Sequence, residues 1–305
     1  MEETKHKLHL KMNIQFHQPV TAYALLSDGW LPFCFAPASI VLVDRNIVAT
    51  AKSIAAESKR ADIAANKWWF NFFNNQNYTL NPILAALEGR NRQPPTYDEF
   101  VLEFQDASEA LGEVFPNARL MDFEEQHYRA GYAISKDLKA RYDSDTQFLL
   151  CASKHLLTAL PEKKLGEVEE ALFSLSKRLS PKPSPFVILA AVSCLYEDPK
   201  NPELNIGRNI IKPKENYSES SAHNAISDLR SLELLLCFQQ LQGPSPIFCT
   251  RDRALLNFWL AILHTRVARS EDGLELTLRF NNSLFPRLKE EEYIALIDRL
   301  SRDGL

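Results

Sequence analysis

The stretch "ASIVLVDRNIV", residues 38–48, decides how this chain folds. Ile40, Val41, Leu42 and Val43 form an apolar, largely β-branched run, and Asp44 follows without a break. A continuous run of this kind suits a strand covered on both faces. The pattern recurs in "PSPIFCTRDRALL", residues 244–256, where Ile247 to Thr250 lead into Arg251 and Asp252. In an open parallel sheet the carboxyl ends of the strands share one edge, and ligands bind in the crevice there. If both strands join one sheet, Asp44 and Asp252 converge. Two nearby carboxylates repel unless a proton or a cation neutralises them. A hard divalent ion with oxygen ligands does so. No histidine–cysteine set stands at zinc spacing, so the pattern points to Mg²⁺ or Mn²⁺. Each aspartate is also a good helix N-cap, accepting orphan N–H groups, and Asp252 ahead of "RALLNFWLAIL" could be only that.

Working outward, "ATAKSIAAESKRADIAANKWWFNFF" reads as helix from Ile47 to about Phe73. Asn81-Pro82 opens a helix carrying "ILAALEGR", and Thr96 with Glu99 forms a capping box for another. Asp122 with Glu125 marks one more start, with helical patterning to about Leu160, then again from Glu162 to Leu179. Ser184-Pro185 opens "FVILAAVSCLY", apolar enough for the centre of a core. Residues 199–217 are rich in proline, asparagine and lysine and read as a loop. "AHNAISDLRSLELLLCFQQLQ" is helical, "DRALLNFWLAILHTRV" reads as helix, "LELTLRF" as strand and "KEEEYIALIDRL" as a closing helix. The alternation at both ends predicts an α/β fold: a small, mostly parallel sheet flanked by helices, with a large all-helical insertion at about 96–200. Residues 1–36 read as an N-terminal segment of short strands or irregular chain, and 37–305 as the main domain. The position of the insertion suggests a lobe capping the acids.

Composition narrows the function. With a net charge of −4, any nucleic-acid contact needs a local basic patch. The absence of GxGxxG and GxxxxGK[ST] argues against dinucleotide and P-loop nucleotide sites. Five cysteines without a CxxC pair suit a reducing compartment, and the N-terminal stretch has no apolar core of a signal peptide. No apolar run approaches membrane-spanning length, so a cytoplasmic protein without a membrane partner is expected.

Two further acids belong with the strand-end pair. Glu88 borders the apolar stripe of Ile83, Leu84 and Leu87, and Asp228 sits in a helix made apolar by Ile226, Leu229, Leu232, Leu236 and Phe238. An acid beside a buried stripe needs a partner. Arg90 or Arg92 would serve Glu88, and Arg230 would serve Asp228, as ordinary ion pairs. Asn224 shares the face of Asp228 one turn earlier.

The order "VLVDRN", an acidic helix, "NAISDLRSL", then "PIFCTRDRAL" resembles the PIN-like nuclease superfamily. There an aspartate ends the first strand, a helical acid follows, another aspartate lies in a late helix, and the last follows a strand in a T-x-D motif. Asp44, Glu88, Asp228 and Asp252 take those places, with Thr250 as the motif threonine and Asn46 as the small polar residue by the first aspartate. The resemblance covers about 38–90 and 220–260, not 96–200 or the first 35 residues. Glu57, Asp62 and Glu99 compete for the place of Glu88. The resemblance implies phosphodiester hydrolysis, most often of RNA, with one or two Mg²⁺ or Mn²⁺ ions held by the four acids. Thr250, Asn46 and Asn224 would support them.

Arg45, Arg90, Arg92, Arg251 and Arg253 stand beside the acids and are the expected substrate-binding cations. "NKWWFNFFNNQNY" offers Trp68, Trp69, Phe72 and Phe73, at a helical spacing that suits core packing better than stacking on bases. A protein inhibitor or a homo-oligomer would suit a toxin-like or regulated effector. The competing reading is a non-catalytic interaction module on a degenerate nuclease core, against which stands the presence of all four acids. An aspartyl-nucleophile phosphatase is disfavoured because "DRN" lacks the second aspartate of a D-x-D pair.

Overall fold

The computed structural model describes residues 23–25, 39–55, 73–89, 92–202, 205–239, 246–270 and 273–303. The sheet is built from β1 (Tyr23–Leu25), β2 (Ser39–Val43), β3 (Tyr78–Asn81), β4 (Arg119–Leu120) and β5 (Ile247–Thr250), in the order β1-β5-β2-β3-β4. Only β1 is antiparallel; β5, β2, β3 and β4 run parallel. The α/β expectation holds, and the two aspartate-ended strands are neighbours. Val43 pairs with Cys249, and the Asp44 N–H donates to the Cys249 carbonyl at 3.2 Å.

Both faces of β2 are covered, which explains its unbroken apolar run. Val41 and Val43 pack with Ile247, Cys249 and Leu80 under α1 (Arg45–Ala55) and α3 (Tyr97–Val114). Leu42 and Phe248 face the larger core. That core draws on α2 (Ile83–Glu88), α4 (Glu125–Ala152), α5 (Glu162–Arg178), α6 (Pro185–Leu195), α7 (Ile206–Ile211), α8 (Glu219–Gln239) and α9 (Arg253–Ala261). Every residue of α6 from Phe186 to Leu195 is buried, and Ser184 caps it by accepting the Phe186 N–H. The Thr96–Glu99 capping box opens α3, and the Asn81 side chain accepts the Ile83 N–H at the start of α2.

Four expectations need correction. The interval 96–200 is not all helix: β4 lies within it, and α3 belongs with α2 to the crossover from β3 to β4. A two-residue strand carries no readable period. Nor do these helices form a separate lobe over the acids. Phe100 and Phe104 of α3 join the larger core, Ala107 and Leu111 the smaller, and α4 to α6 share one core with α8. The presumed loop 199–217 contains α7, seated on α6 so closely that a Cβ on Gly207 would lie 2.3 Å from the Ala190 carbonyl oxygen. Finally, α9 stops at Ala261, and β6 (Ile262–Ser270) pairs antiparallel with β7 (Gly273–Phe280). The ladder offered by "LELTLRF" outweighs the helical spacing of "AILHTRV". The chain closes with α10 (Glu290–Asp303), and no helix among the described residues is long and apolar enough to cross a membrane. Phe73 and Tyr78 are core residues; Trp68, Trp69 and Phe72 lie outside the described residues, as does most of the 1–36 segment.

Candidate functional site

The parallel edge brings the two strand-end aspartates together through one hydroxyl. Thr250 is fully buried; its Oγ1 donates to Asp44 Oδ2 at 2.7 Å and accepts the Asp252 N–H at 3.0 Å. Asp44 Oδ1 accepts the Ile47 N–H at 2.8 Å, and Oδ2 also accepts the Arg251 N–H at 3.4 Å. Asp44 is therefore the N-terminal cap of α1. Asp252 caps α9, its Oδ1 accepting Ala254 N–H at 2.7 Å and Leu255 N–H at 3.0 Å. The capping explanation holds for both residues. Burial pushes the Asp44 carboxyl above its usual range, although hydrogen bonds from Thr250, Ile47, Arg251 and Asn46 oppose the shift.

Glu88 closes α2 and is 28% exposed. Burial lifts its carboxyl to about 7; Arg45 opposes this, and the negative charges of Asp44 and Glu103 add to it. Its ion-pair partner is Arg45, with Nε 4.0 Å from Oε1, rather than Arg92. The Arg45 guanidinium also donates to the Gly89 carbonyl. Glu99 is occupied by its capping box, while Glu57 and Asp62 lie outside the described residues.

Asp228 stands apart from the other three. Among the described residues no donor reaches its carboxylate. Burial drives its pKa well above the usual value, and Asp252, Glu88 and Asp44 push it the same way. Lys212 opposes them. Arg230 does not serve Asp228; its charge answers Glu233 and Asp145. Four acids from four separate elements thus share one electrostatic neighbourhood. Exposed Asn224 lies one turn before Asp228.

Two residues near this edge are invisible to sequence patterning. Lys212 ends α7 in the left-handed region, φ 53°, where glycine or asparagine is usual. His223 is 3% exposed, bonded to the Tyr142 hydroxyl through Nδ1 and to Ser227 through Nε2. Burial and the charges of Arg230, Arg45 and Arg92 hold it near 4, so it is neutral.

The flanking arginines divide. Arg251 donates to Thr50 Oγ1 at 2.9 Å, Arg92 to Ser220 Oγ, and Arg253 is exposed in the first turn of α9. Arg90 lies outside the described residues.

Carboxylate oxygens are the donors that Mg²⁺ and Mn²⁺ select. Among the described residues no three histidine, cysteine, aspartate or glutamate groups converge into a complete ligand set. Mg²⁺ does not require one, because it binds through one or two carboxylates and keeps several waters. The donor chemistry suits such an ion, and Asp228 is the acid of the four with neither a hydrogen bond nor an ion pair among the described residues. Compared with family models, curated proteins and solved structures, the chain matches none of them.

Proposed function

We propose that this chain is a divalent-metal-dependent phosphodiesterase of the PIN-like kind, acting on RNA. One observation carries the reading. Asp44, Glu88, Asp228 and Asp252 raise the charge density at one parallel edge, and Asp228 has no described donor to offset it. Acids in a fold's interior are normally paired or hydrogen-bonded, whereas half-buried Asp228 has neither kind of partner among the described residues. A cluster that is left short of cations marks a place where a cation is expected to bind.

Asp228 and Asp44 would hold the ion, with Glu88 and Asp252 completing the negative surround. When bound, Mg²⁺ or Mn²⁺ would activate water and offset charge on the scissile phosphate. Thr250 fixes the Asp44 carboxylate and the start of α9 through the same oxygen. Arg45 restrains Glu88, and Arg92 and exposed Arg253 offer positive charge to the phosphodiester backbone.

The test is incubation of full-length protein with single-stranded RNA and Mn²⁺ or Mg²⁺, beside Asp44→Asn and Asp252→Asn. Metal-dependent cleavage by wild type, lost in both variants, is expected. If wild type cuts neither RNA nor DNA and Mn²⁺ does not bind, the aspartates are caps only and the interaction-module reading takes over.

A further inference from the structure

A groove of about 1080 Å³ adjoins the acid edge. It begins at Gly89, the residue after Glu88, and is lined by α3, α4, the first turn of α8 and the chain leading into α3. Its volume lies just above the ~300–1,000 Å³ typical of small-molecule sites.

The backbone at its inner end is unusual. Arg92 has φ 54°, a left-handed conformation that few non-glycine residues adopt, and Gly89 has φ 76°. A Cβ at Gly89 would lie 2.7 Å from the Gln93 carbonyl oxygen, so the turn admits only glycine. Strain of this kind gathers at ligand-binding positions. Here it presents exposed Arg92 to the groove, with its guanidinium steadied on Ser220 Oγ.

The rest of the lining suits a base better than a phosphate. Pro95 and Leu102, the latter 54% exposed, supply apolar surface. Tyr142 supplies an aromatic ring held by two contacts: its hydroxyl meets His223 Nδ1 at 2.8 Å, and Arg230 lies 5.5 Å from the ring centroid. Fixed aromatic rings are the usual platforms for unpaired bases. Asp143 and Gln147 stand one turn apart on α4 and both line the groove. Among the described residues Asp143 has no hydrogen bond or ion pair. A carboxylate accepts and cannot donate. Guanine alone among the four RNA bases offers two adjacent donors, a ring N–H and an exocyclic amine, on its pairing edge.

We infer that this groove binds a guanine of the substrate strand, with Asp143 reading its donor pair, Tyr142 stacking and Arg92 holding the attached phosphate. The inference rests on the phosphodiesterase reading for its purpose but not for its test. Full-length protein is titrated calorimetrically with guanosine, adenosine, cytidine and uridine monophosphates, without metal. Guanosine monophosphate should bind about tenfold more tightly than the others. Asp143→Asn, an exposed change that leaves the core intact, should erase that preference. Arg92→Ala should weaken all four monophosphates alike and leave unphosphorylated guanosine unaffected. With RNA and Mn²⁺, cuts should fall at a fixed position relative to guanosine.

Equal binding of the four monophosphates, or none, overturns the subsite, even if RNA is cut. Asp143-dependent guanosine monophosphate binding without any cleavage upholds the subsite and removes the nuclease reading. A lysine-rich peptide that binds through Asp143, where no monophosphate does, overturns it in favour of a protein partner.

Discussion

Helix α8 carries a carboxylate into each of two acidic clusters, and the clusters are built in opposite ways. Glu233 lies in a seam between α8, α4 and the cap of α6. Its Oε2 accepts Arg141 Nη2 at 3.0 Å, and its Oε1 accepts the Ser184 hydroxyl. Asp145 accepts the Ser184 N–H at 2.6 Å, and Arg230 adds positive charge to both acids. Two carboxylates meet two guanidiniums, and each described acid has a donor. Asp228, one and a half turns earlier on the same helix, feels the charges of Asp252, Glu88 and Asp44, and among the described residues Arg45 and Lys212 are the cations that oppose this set. The seam is a finished ionic structure. Among the described residues the edge has fewer cations per acid than the seam, and the metal-binding proposal rests on that difference.

The largest test of this contrast is Glu233→Ala. Removing one partner of a partly buried pair leaves Arg141 and the Ser184 hydroxyl unanswered, and the expected loss is about 3 kcal/mol in denaturant unfolding, the low end for breaking a buried pair. Asp228→Asn should behave in the reverse sense, with the metal-free midpoint unchanged or raised because a carboxyl disfavoured by burial and by neighbouring acids has gone. A loss as large as that of Glu233→Ala would show that Asp228 has a stabilising partner and would break the comparison. Next in size is the response to Mn²⁺. A ligand that binds only the folded state at about a hundredfold excess over Kd stabilises by about 2.7 kcal/mol. Wild type should gain on that scale, Glu233→Gln equally, and Asp228→Asn little.

How much of this was legible depends on how local each signal is. Asp44, Thr250 and Asp252 were readable because an apolar run ending on an acid is a local pattern, and parallel pairing turns two such patterns into one edge. Asp228 was readable as a charge in an otherwise apolar helix. Lys212 was not, since α7 is six residues long inside a stretch rich in proline and asparagine. The pairing of Glu88 with Arg45, rather than with its neighbour Arg92, depends on where β2 and α2 end in space. β4 has no period to detect, and the end of α9 at Ala261 is set by a partner strand more than ten residues away. Two-sided burial, though, was visible in "IVLV" itself.

Thr250→Val refines the contrast at smaller size. The substitution keeps the buried shape and removes the hydroxyl that donates to Asp44. Groups that orient metal ligands typically contribute about 10–100-fold in affinity or activity. A drop of that order in Mn²⁺-dependent cleavage, with folding retained, is expected. An unchanged rate would reduce Thr250 to a packing residue.

The smallest effect is a slope. Burial raises the Asp145 carboxyl from its usual 3.8 to about 7, helped by Glu233 and opposed by the Ser184 N–H, Arg141 and Arg230. Between those values the folded chain keeps a proton that the unfolded chain releases. Stability from this group is therefore present at low pH and falls as pH rises through the window. His223 works the other way. Its folded value near 4 lies below the usual 6.5, so its contribution is lost as pH falls through that interval. The two slopes offset each other in wild type, and the total profile says little. The difference between wild type and Asp145→Asn isolates the carboxyl, because His223 is common to both. The asparagine oxygen still accepts the Ser184 N–H, so the variant should gain steadily on wild type from about pH 4 to pH 7 and level off above. A flat difference in chemical unfolding across that range would mean that the seam's guanidiniums fully compensate the burial of Asp145. The seam would then be more completely neutralised than its geometry indicates, and its contrast with the cation-poor edge still sharper.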